Sequence, residues 1–176
     1  TIQRVLVAGA TGGVGQLAVA TLLQQGYAVR ALTRQADKAS RLFDGRTEVA
    51  VGDIRQPETL PAAVATVDAL LCCTGTTAFP SDRWAFDPPD SPLEALSYWG
   101  RIYLDADYRQ QQAQNTPAEV DAVGVANLVA AAPRDLQRFV FVSSCGVERK
   151  GTFPYSVLNA FGVLDAKEKG EVSLRQ

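Results

Sequence analysis

The sequence predicts an α/β fold, a doubly wound parallel sheet with helices on both faces. Two observations lead to this prediction. Short runs of apolar and β-branched residues alternate with segments of helical periodicity along the chain. The first such run, Arg4–Ala8, ends in a glycine-rich turn that opens directly into a helical pattern. Right-handed crossovers between parallel strands then give the strand order 3-2-1-4-5.

The glycine-rich turn follows the first strand in the segment RVLVAGATGGVG. Gly9 permits a tight turn, Gly12 lets a pyrophosphate approach the backbone, and Gly15 lets the helix pack against the strand. The helix N-terminus then offers free N–H groups to phosphate. The turn is typical of a dinucleotide-binding Rossmann domain, and a glycine-rich turn in another α/β domain is the alternative. The expected cofactor contacts in this turn are Gly9, Ala10, Thr11, Gly12, Gly13, Val14 and Gly15.

Five strands are predicted from their apolar or alternating patterns. They cover Arg4–Ala8, Tyr27–Thr33, Thr47–Gly52, Asp68–Thr74 and Phe139–Ser144.

The helical segments between and after the strands carry recognisable start and stop signals. Gly26 ends the first helix, Pro61 interrupts the third, and Thr116-Pro117-Ala118-Glu119 forms a capping box with proline at the first helical position. The predicted helices are Gly12–Gln25, Gln35–Phe43, Pro57–Thr66, Thr116–Ala132, and one from Tyr155 or Ser156 to Arg175.

The end of the second strand indicates which cofactor binds. An NAD site usually places an acidic residue about 20 residues after the glycine motif. Here Thr33 and Arg34 occupy that place, with Lys38 nearby. An arginine suits the 2′-phosphate of NADP through charge-assisted hydrogen bonds, so we expect NADP. NAD is the alternative because Asp37 is close by, and Arg34 could also be a solvated loop charge.

The third and fourth strand ends supply further candidates for the cofactor site. Asp53, followed by Ile54, could accept a hydrogen bond from an adenine amino group or could cap the next helix. Cys73, Thr74 and Gly75 end the fourth strand and are expected to line the ribose side of the cofactor. Neighbouring residues on a strand point to opposite faces, so Cys72 and Cys73 are expected to be buried free thiols.

The catalytic candidates follow the fifth strand and lie in the last helix. Ser143 and Ser144 end the strand, where a hydroxyl could hydrogen-bond a substrate carbonyl or cap the next loop. Lys167 could bind the nicotinamide ribose and lower the pKa of a neighbouring hydroxyl, or it could be a surface lysine.

Composition excludes several classes of function. The 176 residues carry a net charge of −2, which argues against nucleic acid as a partner. No apolar run approaches the roughly 18 residues of a spanning helix, so no transmembrane segment is expected. The chain has no histidine, which rules out histidine-based triads and zinc sites with histidine ligands, and no metal site is expected.

Five motifs, taken together in their order, resemble those of the short-chain dehydrogenase/reductase superfamily. They are GATGGVG, GDI, VDAVGVANLVAAA, FVFVSS and LDAKEKGE. The resemblance is to its atypical NAD(P)-binding members, including NmrA-like, plastid and cyanobacterial proteins. It implies an active-site serine at Ser144 and a lysine at Lys167, with a tyrosine four residues before that lysine. Val163 stands at the tyrosine position, and valine transfers no proton. Tyr155 could substitute only if the helix starts later and the loop folds back.

The resemblance implies one of two functions. The first is an NADP-dependent oxidoreductase acting on a small carbonyl or quinone-like molecule. The second is a non-catalytic cofactor-binding regulatory or assembly protein that acts through protein partners. It also implies a cytoplasmic or plastid-stroma-like location and a possible homodimer through the helices at 116–132 and 156–175. Family members continue into a further strand and a substrate-binding region, which we expect this single domain, residues 1–176, to lack.

The segment Phe79–Gln114, here called the insertion, has no counterpart in this pattern. It holds half of the chain's aromatic residues, including both tryptophans, and flexible linkers are poor in aromatic residues. Residues Pro92–Tyr108 are expected to form one or two short helices. The insertion could pack on its own domain, act as a lid over the nicotinamide, or form a partner surface.

Overall fold

A computed structural model describes residues 1–175. Five strands form one parallel sheet in the order β3-β2-β1-β4-β5, which confirms the predicted topology. The strands are β1 (Arg4–Ala8), β2 (Ala28–Thr33), β3 (Glu48–Val51), β4 (Ala69–Cys72) and β5 (Arg138–Phe141). β4 and β5 end earlier than predicted, so the residues from Cys73 to Gly75 and from Val142 to Ser144 belong to loops beyond the carboxyl edge of the sheet.

Helices cover both faces of the sheet. Their bounds are α1 (Gly13–Gln24), α2 (Ala36–Phe43), α3 (Pro61–Val64), α4 (Pro92–Leu104), α5 (Ala106–Gln112), α6 (Val125–Ala131), α7 (Tyr155–Leu158) and α8 (Val163–Arg175). One apolar cluster joins β1 and β2 to α1 and α2. A second joins the opposite face of the sheet to α3 and α6. Cys72 belongs to the second cluster and Cys73 packs against the first, as their neighbouring strand positions predicted.

The helix predicted at 116–132 contains an irregularity that the sequence did not reveal. Residues Ala118–Gly124 are wound as a π-helix that continues into α6. The start of this segment matches the predicted capping box in part, since the Thr116 hydroxyl accepts a hydrogen bond from the Glu119 N–H at 3.2 Å. π-Helical turns inside α-helices occur frequently at functional sites.

Two predicted helices are shorter than expected. The segment 57–66 consists of a 3₁₀ turn (Pro57–Thr59) and α3, with the break at Pro61 that the sequence indicated. The prediction of one continuous last helix was wrong. A turn separates α7 from α8, and Gly162 adopts a left-handed φ of +79° there.

The insertion contains α4 and α5 and packs on its own domain around Phe161. The rings of Phe79, Trp84 and Tyr103 meet Phe161 at centroid distances of 5.8, 6.4 and 5.8 Å. Trp84 is only 2% exposed. Phe79, Trp84 and Tyr103 therefore form an aromatic cluster with Phe161, in which Trp84 is the buried member. Across residues 1–175, every helix is too short or too polar to cross a bilayer.

Candidate functional site

The glycine-rich turn joins β1 to α1 in the geometry of a phosphate cradle. Gly9 has a left-handed φ of +73°, and the Gly12 N–H closes the turn on the Gly9 carbonyl at 3.0 Å. A Cβ on Gly15 would lie 2.1 Å from the Gly9 oxygen, so the helix can approach the strand this closely only with glycine there. In the described chain, no side chain caps the first turn of α1, and that turn holds no acidic residue. Its N–H groups are thus available to an anion.

A cleft of about 670 Å³ opens beside this turn at the carboxyl edge of the sheet. Most of the expected cofactor contacts line it. These are Gly9, Thr11, Gly12, Gly13, Thr33, Arg34, Asp53, Ile54, Cys73, Thr74 and Gly75. The other candidates lie outside the lining, namely Ala10, Val14, Gly15, Ser143, Ser144 and Lys167. The cleft thus gathers the ends of the first four strands, and a volume of this size suits a nucleotide cofactor.

Positive charge surrounds the side of the cleft next to β2. Within the described residues the lining carries four cationic side chains, from Arg34, Lys38, Arg55 and Arg83, and two carboxylates, from Asp53 and Asp82. Asp37, the residue that kept NAD as the alternative, is exposed and lies outside the lining. The lining of the cleft therefore carries more cationic than anionic side chains, which suits a ligand that bears phosphate groups.

Arg34 is connected to the insertion through Asn115. Its guanidinium donates to the Asn115 side-chain oxygen at 3.1 Å, and the Asn115 amide donates to the Arg83 carbonyl at 3.2 Å. Asn115 and Gln114 also donate their backbone N–H groups to the Trp84 carbonyl. The base of the insertion therefore forms a wall of the cleft and holds Arg34 in place.

Asp53 is engaged by its neighbour Arg55. One carboxylate oxygen accepts from the Arg55 backbone N–H at 3.0 Å, and the guanidinium donates to both oxygens. Burial would raise the pKa of Asp53, but the hydrogen bonds from Arg55 outweigh burial and lower that pKa below its ordinary value. Asp53 is thus an ionised acceptor at the mouth of the cleft. Its side chain closes a local turn by accepting the Arg55 N–H. From the sequence alone, a contact with adenine and a local capping role had both been possible.

Cys73 and Thr74 form the wall of the cleft next to β4. Cys73 is half-buried, and burial raises the pKa of its thiol to about 11. The Thr74 hydroxyl lies 3.1 Å from the sulfur of Cys72. The Cys73 thiol is therefore protonated at neutral pH and acts as a small apolar surface.

Lys167 is buried beneath this wall and forms an ion pair that the sequence did not predict. Its ammonium lies 2.8 Å from Asp121 Oδ1 and donates to the carbonyls of Thr74 and Val142 at 3.1 Å. The hypothesis of a surface lysine is therefore wrong. The ammonium joins the chain segments after β4 and β5 to the π-helical segment, and it lies directly behind Gly75, where an added Cβ would come within 3.2 Å of it.

Asp121 is fully buried in the π-helical segment. Burial raises its pKa, and the neighbouring Lys167 ammonium offsets part of that rise. A signal for this residue was present in the sequence. Asp121, Val125 and Leu128 follow helical spacing, so the carboxylate falls on the apolar face of its helix. A carboxylate buried there is stabilised by a neighbouring cation, which Lys167 provides.

The remaining catalytic candidates do not come together. Ser143 donates to a carboxylate oxygen of Glu171 at 2.6 Å, whereas Ser144 is exposed. Val163 is buried at the start of α8. Tyr155 packs against Gly146 and the guanidinium of Arg149, and it does not line the cleft. The late start of α8 therefore does not bring Tyr155 into the cleft.

Sequence reasoning missed several contributors to the cleft, among them Arg55, Arg83 and Asn115. Arg55 directly follows the predicted GDI segment, so its proximity could have been inferred. Arg83 and Asn115 reach the cleft only through the fold of the insertion, and no local pattern in the sequence indicates that. The residues present fit a dinucleotide, because free helix N–H groups face one end of the cleft and guanidinium groups face the other.

Comparisons with known proteins show the family of this chain. The profile of a family described as NAD(P)H-binding matches residues 9–176. Protein TIC 62 of Arabidopsis thaliana chloroplasts is 28% identical over an alignment of 189 positions, which covers 97% of this chain and 25% of that protein. Photosystem II assembly factor Ycf39 of Guillardia theta is 38% identical over 85 residues, which cover 48% of this chain and 26% of that protein. The alignments thus span about a quarter of the length of each relative.

A solved structure shares the fold. The Citrobacter sp. triphenylmethane reductase complexed with NADP(H) superposes with a TM-score of 0.58 at 24% identity, covering 97% of this chain and 45% of that one. At this identity the likeness concerns the fold alone. The profile match extends over nearly the whole sequence, and the observed strand order agrees with the motifs. The chain therefore belongs to the NAD(P)H-binding family of atypical short-chain dehydrogenase/reductase-like proteins.

Proposed function

We propose that this chain is an NADP(H)-preferring oxidoreductase that reduces a small carbonyl or quinone-like substrate. The observation that carries the cofactor preference is the group of cations beside β2. Arg34 and Lys38 flank the place where an NAD site would hold an acidic residue, and Arg83 of the insertion lines the same cleft. Guanidinium groups bind phosphate through charge-assisted, often bidentate hydrogen bonds.

In this proposal each part of the cleft binds one part of the cofactor. The free N–H groups of the α1 N-terminus hold the pyrophosphate. Arg34, fixed by Asn115, binds the 2′-phosphate, and the Asp53–Arg55 pair borders the adenine. Cys73, Thr74 and Gly75 line the ribose side. The bound nicotinamide supplies the hydride.

The protein groups at the reacting end favour quinone-like acceptors over simple carbonyls. Reduction of a carbonyl produces a strongly basic alkoxide that needs a nearby acid, whereas a reduced quinone oxygen is a much weaker base. Val163 provides no acid, and the Lys167 ammonium is engaged by Asp121 and two carbonyls. The substrate oxygen is proposed to take its proton from water, because Ser144 is exposed and lies outside the cleft lining. Lys167 is proposed to position the segments after β4 and β5.

Steady-state oxidation of NADPH and NADH with 1,4-naphthoquinone, and separately with benzaldehyde, tests this proposal. Arg34→Ala should lower kcat/KM for NADPH by about 10- to 100-fold, the equivalent of about 1.5–3 kcal/mol for a charged hydrogen bond. The same variant should leave kcat/KM for NADH unchanged. Arg41→Ala is the matched control, because Arg41 is an exposed arginine outside the cleft. An equal loss with both cofactors would refute the phosphate role of Arg34.

A second candidate function is a non-catalytic NADP(H)-binding regulatory or assembly protein. The observation that favours it is the incomplete reacting end, where valine replaces the family tyrosine and the lysine is held by Asp121. The relative Ycf39 carries the description of a photosystem II assembly factor. Tight binding of NADPH without turnover of either acceptor would select this function over the first.

A further inference from the structure

The outward face of α4 exposes a stripe of leucines that the cofactor site does not use. Leu93, Leu96 and Leu104 are 81, 73 and 89% exposed. With Gly100 they follow the spacing i, i+3, i+7 and i+11, which places all four on one side of the helix. Tyr98 and Ile102 on the opposite side are buried. The helix is therefore apolar on both sides, and residues 1–175 cover only one of them.

Gly100 lies in the middle of this leucine stripe, defined as Leu93, Leu96, Gly100 and Leu104. A Cβ added at Gly100 would meet no atom of the described chain within 4 Å. Glycine is less favourable than alanine in the interior of a helix. Packing within this chain does not require the glycine, and it leaves a notch between Leu96 and Leu104 that faces outward.

The charged groups near the leucine stripe are mostly acidic. Glu94 lies on α4 itself, Asp90 precedes it, and Asp105 and Asp107 follow its end, all of them exposed. The cation of α4, Arg101, lies 3.7 Å above the ring of Tyr108 and is engaged there. The stripe is therefore an apolar surface with acidic groups at both ends.

We propose that the leucine stripe docks a basic amphipathic helix of a protein partner. Leucine and alanine side chains of that helix pack on the stripe and into the notch at Gly100, and its lysines or arginines face the acidic ends. A second copy of this chain would bring the same acidic groups together, and an anionic membrane would be repelled in the same way. The stripe lies outside the cofactor cleft, so the proposal stands independently of cofactor binding and of turnover.

The test is a binding titration of the full chain with a fluorescently labelled synthetic helix of about 20 residues, long enough to be helical. One peptide combines leucine and alanine with lysine, and a second replaces every lysine by glutamate. The lysine peptide should bind saturably with one-to-one stoichiometry. The glutamate peptide should bind at least about tenfold more weakly, since charge complementarity selects between partners. Equal binding of the two peptides, or no saturable binding, overturns the proposal.

Three variants distinguish docking from general stickiness. L93S/L96S/L104S should weaken binding of the lysine peptide by at least about 30-fold. L17S is the matched control, because Leu17 of α1 is 72% exposed and should not affect binding. G100L adds apolar surface but fills the notch, so it should weaken docking at least about fivefold. If the peptide bound only by non-specific adhesion, G100L would instead strengthen its binding. Melting temperatures no lower than that of the wild type confirm that each variant is folded.

The other occupants of the stripe are outcomes of the same set of measurements. Sedimentation of the wild-type chain as a dimer that L93S/L96S/L104S converts to a monomer would assign the stripe to a second copy. Co-sedimentation with phosphatidylcholine vesicles, lost in that variant, would assign it to a membrane surface. Either result would overturn the proposal and leave the cofactor site unaffected.

Discussion

Replacing Lys167 by methionine tests the buried ion pair that supports the floor of the cleft. The variant keeps the length of the side chain but leaves the fully buried Asp121 carboxylate without its ammonium partner. Removing one member of a buried pair destabilises proteins by about 3–5 kcal/mol. We expect the lower end of that range near neutral pH, because the orphaned carboxyl can take up a proton. The corresponding fall in melting temperature is on the order of 10 °C for a chain of this size.

The loss should depend on pH with a defined sign. Burial already raises the pKa of Asp121, and removing the ammonium that offsets this rise raises that pKa further. The folded variant then binds a proton that the unfolded chain has released. A group with a raised folded pKa stabilises below its unfolded pKa and loses that stability as pH rises. Relative to wild type, the variant should thus lose about 1.4 kcal/mol per pH unit between the folded pKa of Asp121 in the wild type and its still higher folded pKa in the variant.

Urea unfolding of the wild type and variant at about pH 5.5 and pH 7.5 measures this effect. The double variant Asp121→Asn/Lys167→Met removes both charges. It should regain part of the stability that Lys167→Met loses, and it should lack most of the pH dependence that Lys167→Met adds. A Lys167→Met variant as stable as the wild type at both pH values would show that the Lys167 ammonium does not stabilise the chain through an ion pair with Asp121. The lysine would then be free for the ribose contact that the family resemblance implies.

Three further predictions concern the packing around the cleft. Trp84→Ala should destabilise the chain by about 3–5 kcal/mol in urea unfolding, because the indole is almost fully buried, while Leu17→Ala changes stability by less than about 0.5 kcal/mol. Gly15→Ala should destabilise the chain by about 3 kcal/mol or more and abolish NADPH binding in fluorescence titrations, whereas Gly13→Ala, which meets no atom within 4 Å, should remain stable. At about pH 8 Cys73 should react with iodoacetamide about 100-fold more slowly than a thiol of pKa 9.0, as followed by mass spectrometry. Rapid labelling of Cys73 would contradict the burial of its thiol.

Local patterns sufficed to predict the sheet and the glycine-rich turn beside the cleft. The turn from Gly9 to Gly15 has strict backbone requirements, and those requirements are visible as glycines at fixed spacing. The strand order followed from chirality rules that apply to any alternating βαβ chain. The first four strands were therefore correctly expected to end at one edge of the sheet, although β4 ends two residues earlier than predicted.

The rest of the site depends on contacts between residues far apart in the chain. Arg83 reaches the cleft because the insertion folds around Phe161. Its distance from Arg34 is set by Asn115, which is 81 positions beyond Arg34. The break before α8 depends on Gly162, whose left-handed conformation is one of several that glycine adopts with ease. Local propensity does not determine such outcomes, since tertiary packing selects among them.

Asp121 is an intermediate case. Its position on an apolar helix face could have been read from the sequence, yet its partner could not, because Lys167 lies on another helix. The sequence had left two hypotheses about Lys167 open. A lysine four residues after the family tyrosine position suggested a ribose contact, and ordinary statistics suggested the surface. The buried carboxylate supplied a third role that neither hypothesis included.

Calorimetric titration of the chain with NADPH, NADP and NADH tests the central claim most directly. The structure predicts that NADPH and NADP bind at least about tenfold more tightly than NADH, one charged hydrogen bond to phosphate being worth about 1.5–3 kcal/mol. Arg34→Ala and Arg83→Ala should each reduce that preference, while Arg41→Ala should preserve it. Equal affinity for NADPH and NADH in the wild type, or a preference that survives both cleft variants, would contradict the claim that the cations beside β2 recognise the 2′-phosphate.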